Sequence, residues 1–136
     1  MTPELLLKQA ENARQNSYCP YSRFAVGAAI LCDDGRVFDG CNIENVAFSP
    51  TICAERVAVA KAVSAGVRKI TAVAVVGGNV GKQVVTCTPC GVCRQVLAEF
   101  CAPDTPVYMY DKDGGVCVRT LNELLPFGFS AADLEE

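Results

Sequence analysis

Helical spacing of apolar residues opens the chain. Leu5, Leu6, Ala10 and Ala13 share one side of a stretch from Pro3 to about residue 17. Thr2 can cap it and Pro3 suits its first position, so a helix is predicted. Residues 17–22 are turn-forming, and 24–32 are then almost unbroken apolar, the pattern of a strand buried on both faces. Asp33-Asp34-Gly35 reads as a hairpin turn, and 36–40 as its returning strand. A loop rich in Asn, Glu, Ser and Pro fills 41–51. Residues 52–65 are dense in Ala and Val, lack Gly and Pro, and end at Gly66, which predicts a helix. It is apolar nearly all round, which predicts burial. A buried strand follows at 70–76, and then a flexible connection at 77–82. A helix at 90–100, strands at 106–110 and 116–119, and a short helix at 121–125 complete the pattern.

The order α-β-β-α-β-α-β-β-α predicts an α/β fold of three layers, one mixed five-stranded sheet with helices on both faces. No repeat or low-complexity segment interrupts it, and 136 residues suit a single domain over 1–136. Of the residues, 51% are apolar and 20% charged, as in an ordinary globular protein. The net charge of −3 argues against a nucleic-acid backbone as partner, and leaves a small uncharged substrate open. No apolar run reaches the about 18 residues of a membrane span. Met1-Thr2-Pro3-Glu4 lacks the basic start of an export signal. Nine cysteines, an odd number, then fit reduced thiols in a cytoplasmic protein better than a disulfide scaffold.

The chain contains no histidine, so metal or acid–base chemistry must use cysteine and carboxylate. Two segments offer both: Cys53-Ala54-Glu55-Arg56 and Pro89-Cys90-Gly91-Val92-Cys93-Arg94. Cys90 and Cys93, three apart at a predicted helix start, share a face, and Cys53 at another helix start can be a third ligand. Two helix N-termini aimed at the site favour thiolates. Three ligands leave one tetrahedral position open, as in catalytic zinc. Glu55 lies about 200° round a helix from Cys53, so both reach one site only if Cys53 is at the cap or first turn. Three thiolates on one dication carry −1, and Arg56 and Arg94 are placed to offset it by donating to sulfur. Other readings stay open: a closed four-cysteine zinc using Cys87, a redox pair, and an iron–sulfur motif that lacks its fourth cysteine. The Gly81-Lys82 ending of the glycine-rich connection is one residue short of a phosphate loop and lacks its Ser or Thr.

These two segments resemble the cytidine deaminase family, in its small homotetrameric form that holds zinc with three cysteines. The likeness covers nearly the whole chain, through Tyr21-Ser22-Arg23-Phe24-Ala25-Val26-Gly27-Ala28-Ala29, Gly40-Cys41-Asn42-Ile43-Glu44-Asn45, and Leu124-Leu125-Pro126 with Phe129. The resemblance implies one zinc ion on Cys53, Cys90 and Cys93, and hydrolytic deamination of free cytidine and deoxycytidine in pyrimidine salvage. It implies Glu55 as the proton shuttle, with hydroxide on the metal as nucleophile. Asn42 and Glu44 would bind the ribose hydroxyls, Phe24 would pack on the base, and Ala54 would touch substrate. Phe129 would reach into a neighbouring subunit's site. The sequence departs from the family at 48–52, where Phe48 stands in a place often held by Tyr. A relative acting on a modified cytosine nucleoside such as blasticidin S, a zinc-stabilised interaction module and a polynucleotide-editing enzyme are the competing functions. Asn42, Glu44 and Phe129 favour the plain nucleoside, and the acidic charge disfavours the polynucleotide.

Overall fold

Thr2 accepts a hydrogen bond from Leu5 N at 3.2 Å and starts helix α1 (Pro3–Arg14), with Pro3 in its first turn. The computed structural model, which describes residues 1–134, continues through strands β1 (Phe24–Cys32) and β2 (Val37–Cys41) and helix α2 (Ala54–Ser64). Strand β3 (Ile70–Asn79), helix α3 (Gly91–Phe100), strands β4 (Pro106–Tyr110) and β5 (Val116–Thr120), and helix α4 (Leu121–Leu124) follow. A 3-10 turn at Ala131–Leu134, absent from the sequence reading, comes last.

The five strands form one sheet in the order β2-β1-β3-β4-β5. Only β3 and β4 run parallel; the other neighbours are antiparallel, which makes the sheet mixed, as expected. Alternation along β3 sends its side chains to two cores. Ala72, Ala74 and Val76 meet Leu6, Leu7 and Ala10 of α1 on one face. Val73 and Val75 meet Ala58, Val59 and Ala62 of α2 and Leu97 of α3 on the other. The three-layer α/β/α arrangement follows from that division.

Four local expectations change. Leu7 is fully buried while Leu5 is 58% exposed, because α1 turns Leu6, Leu7, Ala10 and Ala13 to the sheet. Helix α2 is buried on one side only: Ala60, Lys61 and Ser64 are exposed, since alanine is apolar enough to read as core without being placed there. Ile52 lies before this helix, bridged to Ile43 across the loop. Strand β3 runs on through Gly77 and Gly78, which pair with Val26 and Ala25 of β1, where the sequence suggested a flexible connection.

Two glycines bring helices close enough to build the site. A Cβ on Gly27 would fall 1.9 Å from Ala10 O of α1, and one on Gly40 would fall 2.6 Å from Ala54 O and 2.8 Å from Ala58 N of α2. The backbone at the start of α2 therefore rests directly on β2.

Candidate metal centre

Cys53 is the N-cap of α2, with extended dihedrals (φ −78°, ψ 157°), and Cys90 is the N-cap of α3 (φ −68°, ψ 166°). Neither side chain caps its own helix, so both sulfurs are free to turn toward a shared point. Cys93, one turn into α3, is fully buried. The three Sγ atoms lie within 4.8 Å of one another, and among the described residues they alone make up such a group. Cys87 does not join it. Sulfurs about 2.3 Å from one tetrahedral zinc would lie about 3.8 Å apart, and Cys53 Sγ and Cys90 Sγ are 3.7 Å apart. The donor set therefore fits one zinc ion.

The cap position of Cys53 also resolves the angular problem posed by Glu55. Extended backbone at the cap takes Cys53 off the helical wheel, and Glu55 becomes the second residue of the helix proper. Its side chain is buried, and its Oε1 has no hydrogen-bond partner. Burial is the main cause that pushes the carboxyl up to about 6, and the charge of Cys53 adds to it. A buried carboxyl oxygen left without a partner is costly unless it serves a ligand.

Neighbouring groups set the sulfurs against one another. Cys93 first, then Arg56 and Cys90, pull the Cys53 thiol down against its burial, while Cys53 and burial push the Cys93 thiol up. A bound dication displaces thiol protons. Arg56 Nη2 reaches Cys53 Sγ at 3.8 Å and Thr51 O at 3.4 Å, which fixes its head beside the sulfur. Arg94, expected to do the same, instead donates from Nε to Pro89 O at 2.7 Å and from Nη1 to Leu124 O at 2.6 Å. It ties the start of α3 to α4, and its hydrogen bonds go to carbonyls and not to sulfur.

Five predicted residues, Ala54, Asn42, Glu44, Phe24 and Phe129, remain to be placed. Ala54, fully buried, is the first residue of α2, next to Cys53 and Glu55. Asn42 is buried: its Oδ1 accepts from Val26 N at 2.9 Å and from Ser17 Oγ, and its Nδ2 donates to Phe24 O at 2.9 Å. Glu44 Oε1 accepts from Tyr21 N and Ser22 N, each at 3.0 Å, while Oε2 accepts from Ser22 Oγ. These donors hold the Glu44 carboxyl below its ordinary range, the Ser22 hydroxyl most of all. With Tyr21, Ser22, Phe48 and Thr51 it lines a cavity of about 380 Å³. The Phe48 backbone is left-handed (φ 60°), and its ring meets Tyr21 edge-on at 6.0 Å. Phe24 is half-buried at the start of β1. Phe129 is exposed, and its carbonyl accepts from Gln95 Nε2 at 2.8 Å.

Ser17, Ser22 and Thr51, which orient Asn42, Glu44 and Arg56, were not singled out from sequence. Ser22 carried a faint signal, as a serine two residues before a strand whose hydroxyl accepts from Phe24 N at 3.0 Å. Cys87, weighed from sequence as a fourth zinc ligand, stays outside the sulfur cluster. Burial first, then the charges of Glu55 and Cys53, push its thiol up to about 12, so it stays a neutral packing group beside the site.

A family model described as the cytidine and deoxycytidylate deaminase zinc-binding region matches residues 1–109. The chain is 49% identical over 134 residues to a cytidine deaminase of Sporosarcina psychrophila, covering 98% of this chain and 96% of that protein. It is 48% identical over 136 residues to a cytidine deaminase of Halalkalibacterium halodurans, covering 100% of each. Among solved structures, the crystal structure of cytidine deaminase from Burkholderia pseudomallei superposes with a TM-score of 0.85 at 42% identity. That match covers 95% of this chain and 100% of that one.

Proposed function

The chain belongs to the cytidine deaminase family of zinc-dependent hydrolytic deaminases, and on that premise we propose that its substrates are free cytidine and deoxycytidine. The products are uridine or deoxyuridine and ammonia, which makes this a salvage activity in the cytoplasm, carried by one domain over residues 1–136. One observation carries the reading: a buried, partnerless Glu55 oxygen two residues from a three-sulfur cluster that fits zinc. A structural zinc knot gives such a carboxyl nothing to do.

Cys53, Cys90 and Cys93 would hold the zinc, which supplies Lewis acidity that brings water near its hydroxide form at neutral pH. Glu55 would take one proton from the attacking water and hand it to N3 of cytosine as the water oxygen bonds to C4. It would then carry the remaining hydroxyl proton to the amino group, so that the C4–N bond breaks, ammonia leaves and C4 keeps its oxygen as the carbonyl of the product. A carboxyl pushed up toward neutrality can hold and release a proton in the same cycle. Arg56, beside Cys53, offsets the excess negative charge of three thiolates.

Glu44 and Asn42 recognise the sugar in this reading, Ala54 and Phe24 lie against the base, and Phe129 serves a neighbouring copy. Three donors give the Glu44 carboxylate a fixed direction, and of its roughly four acceptor sites one on Oε2 is left for a hydroxyl donor. A homotetramer is carried by the family resemblance, and in it exposed Phe48, Phe127 and Phe129 are apolar groups that a neighbouring copy would cover. The test is incubation of purified protein with cytidine, following absorbance loss and ammonia release beside metal analysis. Turnover with one zinc per chain supports the reading. A zinc-loaded protein that leaves cytidine and deoxycytidine intact contradicts it.

A further inference from the structure

Gly77 stands where three parts of the site converge. It pairs with Val26 of β1 on one side, and on the other its carbonyl accepts from Val85 N at 2.8 Å, where the chain returns toward Pro89 and Cys90. A Cβ built there would lie 2.7 Å from Cys87 Sγ, 2.8 Å from Phe24 Cε1 and 3.1 Å from Cys87 Cβ. Real Cβ atoms essentially never come within 3.0 Å of a heavy atom, as the first two of these contacts would require. The space a side chain would need is filled from two directions: by the Phe24 ring from β1, and by the Cys87 thiol from the segment leading into the metal ligands. The φ of Gly77 is not left-handed, so its lack of a side chain, and not backbone freedom, is what the position requires.

We propose that Gly77 is a positioning residue of the deaminase site: its missing side chain is the slot in which the Phe24 ring and the Cys87 thiol pack together. The inference rests on the functional reading above, in which Phe24 lies against the base. The two neighbours respond differently to crowding. A thiol can rotate about one bond, whereas a ring set at the start of a strand must tip as a plate. A methyl at position 77 therefore acts mainly on Phe24, and through it on substrate binding. The sulfurs that fit the zinc are anchored separately, at the caps of α2 and α3.

The test is a pair of variants, Gly77→Ala and Gly77→Ala with Cys87→Ala, read as KM and kcat for cytidine, with zinc content and Tm. Gly77→Ala is expected to raise KM about tenfold or more, the scale of a displaced pocket wall, with kcat changed far less and one zinc per chain kept. Removing the Cys87 sulfur as well relieves the thiol's side of the slot but leaves the methyl 2.8 Å from the place of the Phe24 ring, so KM should stay raised. An unchanged KM in Gly77→Ala overturns the proposal, as does a KM that the second substitution returns to the wild-type value. Should Gly77→Ala not fold, the double variant decides alone: a soluble protein that keeps zinc and shows a raised KM supports the slot, and an insoluble protein or a wild-type KM overturns it. Wild-type turnover is measured in parallel. Its absence sinks the functional reading, whereas turnover with a wild-type KM in Gly77→Ala sinks only this inference.

Discussion

Two arginines sit next to the metal ligands, and only one serves them. Arg56 points its guanidinium at Cys53 Sγ, and its Nε is buried without a partner. Arg94 spends its donors on the carbonyls of Pro89 and Leu124. Arg56→Gln is expected to keep zinc and lose turnover about tenfold, the scale of a lost partner beside a metal ligand, with metal analysis and kinetics on one sample as the check. Cys90→Ala, by contrast, should drop zinc well below one per chain, because two sulfurs no longer make a site. The convergence of Cys53, Cys90 and Cys93 was legible from sequence, because Cys90 and Cys93 share one helix face and Cys53 stands at another helix start. Which arginine faces sulfur was not legible. Adjacency in sequence does not say which way a side chain leaves a helix, and the carbonyl of Leu124 is 30 residues from Arg94.

At the scale of elements, α1 offers a sharp contrast. Leu7 is fully buried and Leu5, two residues earlier, is mostly in water. Leu7→Ala should cost about 2–5 kcal/mol in denaturant unfolding, as core truncations do, while Leu5→Ala should stay within about 0.5 kcal/mol. Helix α4 depends on its start. Thr120 Oγ1 accepts from Glu123 N, Glu123 returns the bond to Thr120 N, and Leu124 at its far end holds Arg94. Thr120→Ala should therefore cost about 1 kcal/mol, read as a lower midpoint with an unchanged denaturant slope. Strands β1 and β4 were legible to the residue, because continuous apolar runs between turn formers have one reading. The far end of β3 was not. Glycines advertise flexibility in a sequence, yet Gly77 and Gly78 are there because other groups press against both faces of the strand.

On the scale of the whole molecule, the sheet brings two distant cysteine segments to one point. Helix α2 rests on β2 at one side and α3 crosses from β3 to β4, so their N-termini meet although Cys53 and Cys90 are 37 residues apart. Layer order and mixed sheet direction could be read from the order of elements; the meeting of the two helix starts could not, since it depends on how closely Gly40 lets α2 approach. No helix among the described residues is long and apolar enough to cross a membrane. If the zinc ties these parts together, its removal by a chelator should abolish turnover and lower the melting temperature, with both restored by added zinc. Whether the sulfur cluster and the Glu55 carboxyl form one reaction site is decided by zinc content and cytidine turnover measured on the same sample of Glu55→Gln. One zinc per chain with turnover reduced at least about 100-fold is expected; zinc retained with turnover near wild type would separate the carboxyl from the chemistry.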